Sequence, residues 1–272
     1  MMSFSTPISI PSMSWSLTYE DRILMLGSCF SDAIAAKMQQ YYLHVTANPF
    51  HTLYNPVSIA NHLSDSLMAN YDVIILTWGT AWVYEDKMTG QVVDNCQKRP
   101  ATDFIRRRLT VDEIVSLWQP LLSRYADKRF IFTVSPIRHL KDGLHANNLS
   151  KAILLLAQEQ LIDFFRPARM IGLSGPPDYF PSYEILMDEL RDYRFYAEDM
   201  LHPSSVAVDY IWERFAATYL TDTTTQSLMR ELHQVWLDEH HRPLHPESEE
   251  YRLFLQSVEE RKTKLLHIIS KN

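Results

Sequence analysis

Only two cysteines, Cys29 and Cys96, occur in 272 residues. They cannot build a disulfide framework, and so sparse a thiol content fits a reducing compartment. Glycine is scarce as well, six in all, with no Gly-x-Gly-x-x-Gly and no Walker-type loop. The backbone cradles that hold nucleotide phosphates are therefore excluded. Basic charge is in deficit: 26 Lys and Arg stand against 33 Asp and Glu, for a formal net charge of −7. That leaves no electrostatic footprint for nucleic acid. Nowhere do eighteen apolar residues run together, so no membrane-spanning helix and no membrane association are expected. Pro7 and Pro11 interrupt the N-terminal stretch, which does not read as a secretory leader. A cytoplasmic chain is the expectation.

What is present is enough apolar material for a core, 46% of residues with 22% charged. Short apolar runs alternate with helical patterns. "RILMLG" (22–27), "HVTANPF" (44–50), "YDVIILTWG" (71–79) and "KRFIFTVSP" (128–136) read as strands, and "ARMIGL" and "PDYFPSYEIL" supply one or two more. Helices are expected from Phe30 to Tyr42, over 54–67 with Asn55 as N-cap and Pro56 in the first turn, after the capping-box pair Thr110 and Glu113, and over 147–165 and 202–220. This alternation predicts a mostly parallel sheet covered on both faces. Beyond about residue 222 two helical patterns follow with no strand between them. They predict a helical hairpin over 222–272 packed on an α/β domain of residues 1–221, and a candidate contact for a homodimer.

In open parallel sheets, ligands bind beyond the carboxyl ends of the strands. Those ends here carry Gly27-Ser28-Cys29, Thr77-Trp78-Gly79-Thr80-Ala81 and Ser135-Pro136-Ile137-Arg138-His139, while Asp199 and His202 lie just before the 202–220 helix. A carboxylate three residues before a histidine can hold the ring Nδ1–H and leave Nε2 free to take a proton from a nucleophile. Phe30, Ile34 and Met38 fall on one helical stripe, with Cys29 immediately before it. That register favours Cys29 as nucleophile over the alternative, Ser28. A helix N-terminus and a nearby imidazole are both expected to lower a thiol pKa.

Taken together, Gly-Ser-Cys-Phe after the first strand, Gly-Thr-Ala-Trp after the third, Ser-Pro-x-Arg-His after the fourth and Asp-x-x-His-Pro near the end resemble the GSCFA family, within the SGNH (GDSL-like) hydrolases. The resemblance covers residues 20–220. It implies a flavodoxin-like three-layer α/β/α sandwich with strand order 2-1-3-4-5 and a Cys/Ser-His-Asp site for acyl transfer. Aligned on the glycine of the wider superfamily's Gly-Asp-Ser-Leu, Cys29 takes the nucleophile position. Three positions depart from the pattern: Ala81 stands where an oxyanion-binding Asn is usual, His51 where a Gly is frequent, and Ser31 where the family name has Ala.

With that Asn missing, the oxyanion and substrate groups are sought among Gly79, Thr80, Asn48, Ser135, Arg138 and His139. The expected reaction is hydrolysis of an acyl ester or thioester of a small polar or carbohydrate-like molecule. The competing readings are an inactive ligand-binding or interaction module and an acyltransferase. No cofactor is expected. His233, His240, His241 and His245 match no zinc spacing, so no metal is expected either.

Overall fold

The structure is a computed structural model that describes residues 5–94, 96, 98–170 and 177–271. The first half runs β1 (Ile23–Gly27), α1 (Cys29–Gln40), β2 (Val45–Ala47), α2 (Pro56–His62), α3 (Asp65–Met68), β3 (Val73–Trp78), β4 (Trp82–Asp86), β5 (Val92–Val93) and β6 (Phe104–Arg108). Then come α4 (Val111–Arg124), β7 (Arg129–Val134), α5 (Gly143–Met170), β8 (Asp178–Tyr179), α6 (Ser182–Glu184), α7 (Ser205–Tyr219), α8 (Thr223–Glu239) and α9 (Glu249–Lys271). The main sheet is parallel throughout, in the order β2-β1-β3-β7-β8. This is the expected order of a flavodoxin-like sandwich.

Alternation along the strands divides the core in two. Ile23, Met25, Val73, Ile75 and Ile131 join Phe30, Ile34 and Met38 of α1 and Ile211 and Phe215 of α7 on one face. Leu24, Leu26, Ile74, Leu76, Phe130 and Phe132 meet Ile59 of α2, Ile114, Trp118 and Leu122 of α4, and Leu154 and Leu161 of α5 on the other. Both faces of the strands are buried, as a continuous β-branched and leucine-rich run requires. Each fully buried leucine or isoleucine contributes about 1.5–3 kcal/mol relative to its exposed state.

Local signals mark the helix starts. The Asn55 side chain accepts from Ser58 N–H with Pro56 in the first turn, and Thr110 and Glu113 form a reciprocal capping box. The C-terminal helices extend the first core: Leu228, Met229, Leu232 and Val235 of α8 and Val258 and Leu265 of α9 belong to it. Lys262 of α9 pairs with Glu239 of α8 at 2.8 Å.

Three features differ from the sequence expectation. A second, antiparallel sheet, β5-β4-β6, stands between β3 and α4. The α5 helix starts at Gly143 rather than 147 and runs on to Met170. It thus takes in the first half of "ARMIGL"; residues 171–173 of that expected strand lie outside the described residues. Among the described residues, no helix is long and apolar enough to cross a membrane.

Candidate active site

β1 ends at Gly27, and the chain turns directly into α1. Ser28 caps that helix: its hydroxyl accepts from Phe30 N–H and its own N–H donates to the Thr77 carbonyl. Ser28 is 0% exposed. Cys29, the first residue of α1, is only partly buried and presents its sulfur to the surface loop that carries His202.

That loop is built around one carboxylate. Asp199 Oδ1 accepts from the backbone N–H groups of Leu201 (2.8 Å) and His202 (3.0 Å), and Oδ2 meets His202 Nδ1 at 2.5 Å. Because a carboxylate only accepts, Nδ1 carries the proton and Nε2 offers its lone pair. Nε2 lies 3.6 Å from Cys29 Sγ. An antiparallel bridge between Tyr196 and Pro203 and the bond from Ala197 N–H to the His202 carbonyl pin the loop at its base.

The electrostatics divide the site into three states. The two backbone N–H groups and the ring of His202 hold the Asp199 carboxyl down at about 2. Burial pushes the Cys29 thiol up, and the Asp32 and Asp199 carboxylates add to this against the pull of the Cys29 and Phe30 N–H groups. The expectation of a lowered thiol pKa is thus reversed, because two carboxylates and desolvation outweigh the helix N-terminus. His139 is pulled down to about 4, by burial first and then by Lys151 and His202, so its imidazole is neutral at pH 7.

The remaining candidates divide sharply. Gly79 and Thr80 both donate their N–H groups to the Tyr54 carbonyl, at 2.9 and 2.8 Å. The Thr80 hydroxyl is joined to Ser150. These donors brace the loop. Asn48, at φ 42°, accepts from Gly27 N–H at 2.9 Å and donates to Asp32 at 3.0 Å, shaping the turn from below.

Ser135 is fully buried, its hydroxyl accepting from Ile137 N–H. The Arg138 guanidinium stacks over Tyr196 (4.1 Å) and Tyr193 (5.1 Å) in a cleft of about 430 Å³. His139 stands beside the site: its Nε2 is buried without a hydrogen-bond partner among the described residues, next to Gly79 and the Ser28 turn.

Three further residues belong to this rim. The Tyr54 carbonyl organises the Gly79 loop and its ring meets His139 edge-on at 6.0 Å. Asp32 adds negative charge beside the thiol. Lys151 of α5, 1% exposed, reaches beneath the sheet ends and donates to the carbonyls of Gly79 (2.6 Å) and Ser135 (2.7 Å).

Burial lowers the Lys151 amine to about 7, and a neutral amine has two N–H groups for those two carbonyls. Between about pH 7 and 10.5 the unfolded chain holds a proton that the folded one does not, so stability rises with pH, by up to about 1.4 kcal/mol per unit. Urea unfolding at pH 7, 8 and 9 should show this rise in the wild type and its loss in Lys151→Met. Equal slopes in the two proteins would refute the assignment.

Comparison with known proteins bears on this constellation. The GSCFA family profile matches residues 22–71 and 65–215. No curated protein matches the sequence. Among the solved structures similar to this chain are two at 12% identity. One is a carbohydrate esterase family 3 protein from Talaromyces cellulolyticus, with a TM-score of 0.39 over 77% of this chain and 98% of that one. The other is LAE5, an α/β hydrolase enzyme from the metagenome of Lake Arreo, Spain, with a TM-score of 0.45 over 74% and 96%. The two matched segments overlap and together run unbroken from residue 22 to 215, through the Cys29 turn and the Asp199–His202 loop: the chain belongs to the GSCFA family.

Proposed function

We propose that the protein hydrolyses an acyl ester or thioester through Cys29, His202 and Asp199. One observation carries the reading: an unbroken relay from Asp199 Oδ2 to His202 Nδ1 at 2.5 Å and from His202 Nε2 to Cys29 Sγ at 3.6 Å. With the thiol held protonated at rest, His202 acts as general base. It takes the thiol proton as the sulfur adds to the acyl carbonyl carbon. The oxyanion so formed is met by the Cys29 backbone N–H. Collapse breaks the bond to the leaving alkoxide or thiolate, which takes the proton from His202. Water then gives a proton to His202 and attacks the acyl-enzyme, and the carboxylic acid departs as the sulfur recovers its proton.

A small polar or carbohydrate-like substrate fits the surroundings. The Arg138 cleft is walled by Tyr183, Tyr193, Tyr196, Asp188 and Asp192, and it adjoins the catalytic loop through the bond from Arg138 N–H to the Leu201 carbonyl. One observation favours a second reading, a binding module without turnover: the Gly79 and Thr80 N–H groups are consumed by Tyr54 and give nothing to an oxyanion.

Peptide mapping by mass spectrometry after brief exposure to p-nitrophenyl acetate separates the two, with released nitrophenol recorded in the same tube. Hydrolysis predicts turnover or an acetyl group on Cys29, either one reduced at least about 100-fold in His202→Ala. Neither adduct nor turnover, or labelling indifferent to His202, would favour the binding module. Adding a sugar or amine acceptor and identifying its acylated product would identify an acyltransferase instead.

A further inference from the structure

A second cluster of chemistry-bearing side chains lies away from Cys29. His51 comes from the segment after β2, His62 from the last turn of α2 and Asp94 from just past β5. Their ligand atoms all lie within 4.8 Å of one another. His51 and Asp94 also line a cleft of about 320 Å³. Asp94 Oδ2 is 3.5 Å from His51 Nε2 and 3.4 Å from His62 Nε2.

Those two distances are informative. A charged N–H···O bond would bring each nitrogen to about 2.7–2.9 Å. With zinc bonds of about 2.0–2.1 Å, the edge between two ligands of a tetrahedral ion is about 3.4 Å. The observed separations fit that edge and are too long for ion pairs in hydrogen-bond contact. The hydrogen bond at the other nitrogen of His62 supplies a second geometric sign. Its Nδ1 lies 3.0 Å from the Ser58 carbonyl, which can only accept, so Nδ1 is an N–H and Nε2 is the nitrogen turned toward Asp94. A ligating histidine held by its other nitrogen on a backbone carbonyl is the usual outer-sphere arrangement of a metal site.

We propose that His51, His62 and Asp94 bind one divalent transition-metal ion, zinc by the tetrahedral spacing, with water at the fourth position. His51 lies in the segment whose neighbours shape the Cys29 turn: Asn48 and Leu53 bond the two sides of Gly27, and the Tyr54 carbonyl braces the Gly79 loop. The ion therefore ties that segment to α2 and to the small sheet. The histidines of the C-terminal helices offer no comparable group among the described residues. His233 stacks on Tyr41, and His240 stacks on Trp236 and bonds its carbonyl.

The test is calorimetric titration of zinc chloride into the chelator-stripped full-length chain, in a Cys29→Ser/Cys96→Ser background so that no thiol supplies a site. The expected result is one ion per chain, an affinity reduced beyond about 100-fold in His51→Ala and in His62→Ala, and a zinc-dependent rise in Tm in the background protein alone. Cobalt should give the intense visible bands of a tetrahedral ion. No binding, undiminished binding in the His51→Ala/His62→Ala double variant, or a weak six-coordinate cobalt spectrum would each overturn the proposal.

Discussion

Replacing Cys29 with alanine should cut turnover of a small acyl ester at least about 10³-fold, the scale on which removing a nucleophile from a coupled triad acts. Ser28→Ala should leave turnover near the wild-type level. Its hydroxyl is a helix cap with no exposed surface, and losing it costs about 0.5–2 kcal/mol of stability. Cys29→Ser is the more demanding variant. The 3.6 Å gap between Sγ and His202 Nε2 suits sulfur, whereas a hydroxyl needs about 2.6–3.2 Å to pass its proton. A C–O bond is also shorter than a C–S bond, so the serine oxygen falls further short and this variant should be nearly as inactive as the alanine.

The wild-type pH dependence follows from the raised thiol pKa. The reactive thiolate forms only as the pH climbs, so iodoacetamide labelling of Cys29 should still be accelerating past about pH 8.5, where an ordinary thiol is half ionised. A plateau below that point would mean a resting thiolate–imidazolium pair and a different first step. Full activity in Cys29→Ala, with loss in Ser28→Ala, would reverse the assignment of the nucleophile.

The layered fold was legible because its signals are local. "VIILTW" is buried at every position and cannot be other than a central strand, and Asn55-Pro56 and Thr110-x-x-Glu113 announce helix starts through their own hydrogen bonds. The small sheet was hidden because its strands do not carry apolar runs. β4 and β6 pair Trp82 and Tyr84 with arginines, Arg106 lying 4.3 Å over the Trp82 ring, so the strands read as a polar loop.

The early start of α5 was hidden for a related reason. Asn147 looks like a helix cap in sequence, but its side chain accepts from His139 N–H and so braces the site. Within the site, Asp199 and His202 could be read because the two complementary groups stand only three positions apart. Tyr54 could not, since it acts through its carbonyl, which every residue possesses. Lys151 belongs to the polar stretch 135–151, but the two carbonyls it meets are set only when the strand ends above it are in place. His51 and His62 become a cluster only when β5 delivers Asp94 from thirty-two residues beyond His62.

Gly27 is the position where fold and chemistry depend on one atom's absence, and Gly27→Ala should be the most destabilising glycine-to-alanine substitution among the described residues. Its φ is +145°, which L side chains rarely adopt, and a Cβ there would lie 2.0 Å from the Thr77 carbonyl oxygen and 2.7 Å from its carbon. The obstacle is backbone of the central strand β3, locked in register with β1, and cannot swing aside as a side chain would. Relief requires β1 and β3 to part at their carboxyl ends. That would strain the bonds from Gly27 N–H to Asn48, from Leu53 N–H to the Gly27 carbonyl and from Ser28 N–H to Thr77.

Overpacking, backbone strain and lost hydrogen bonds together predict a loss of about 3–5 kcal/mol. At about 2–4 °C per kcal/mol for a domain of this size, the Tm should fall by about 6–20 °C, and Cys29 should lose its alignment with His202 as the turn shifts. Gly90→Ala is the internal control: its φ is +69°, with nothing within 4 Å of the added carbon, so only the conformational cost of about 1 kcal/mol remains. Thermal melts of the two variants side by side decide the matter. A large gap between them would place the constraint in the contact with Thr77, whereas equal small shifts would mean that the two strand ends can separate freely and that the Cys29 turn is not held from beneath.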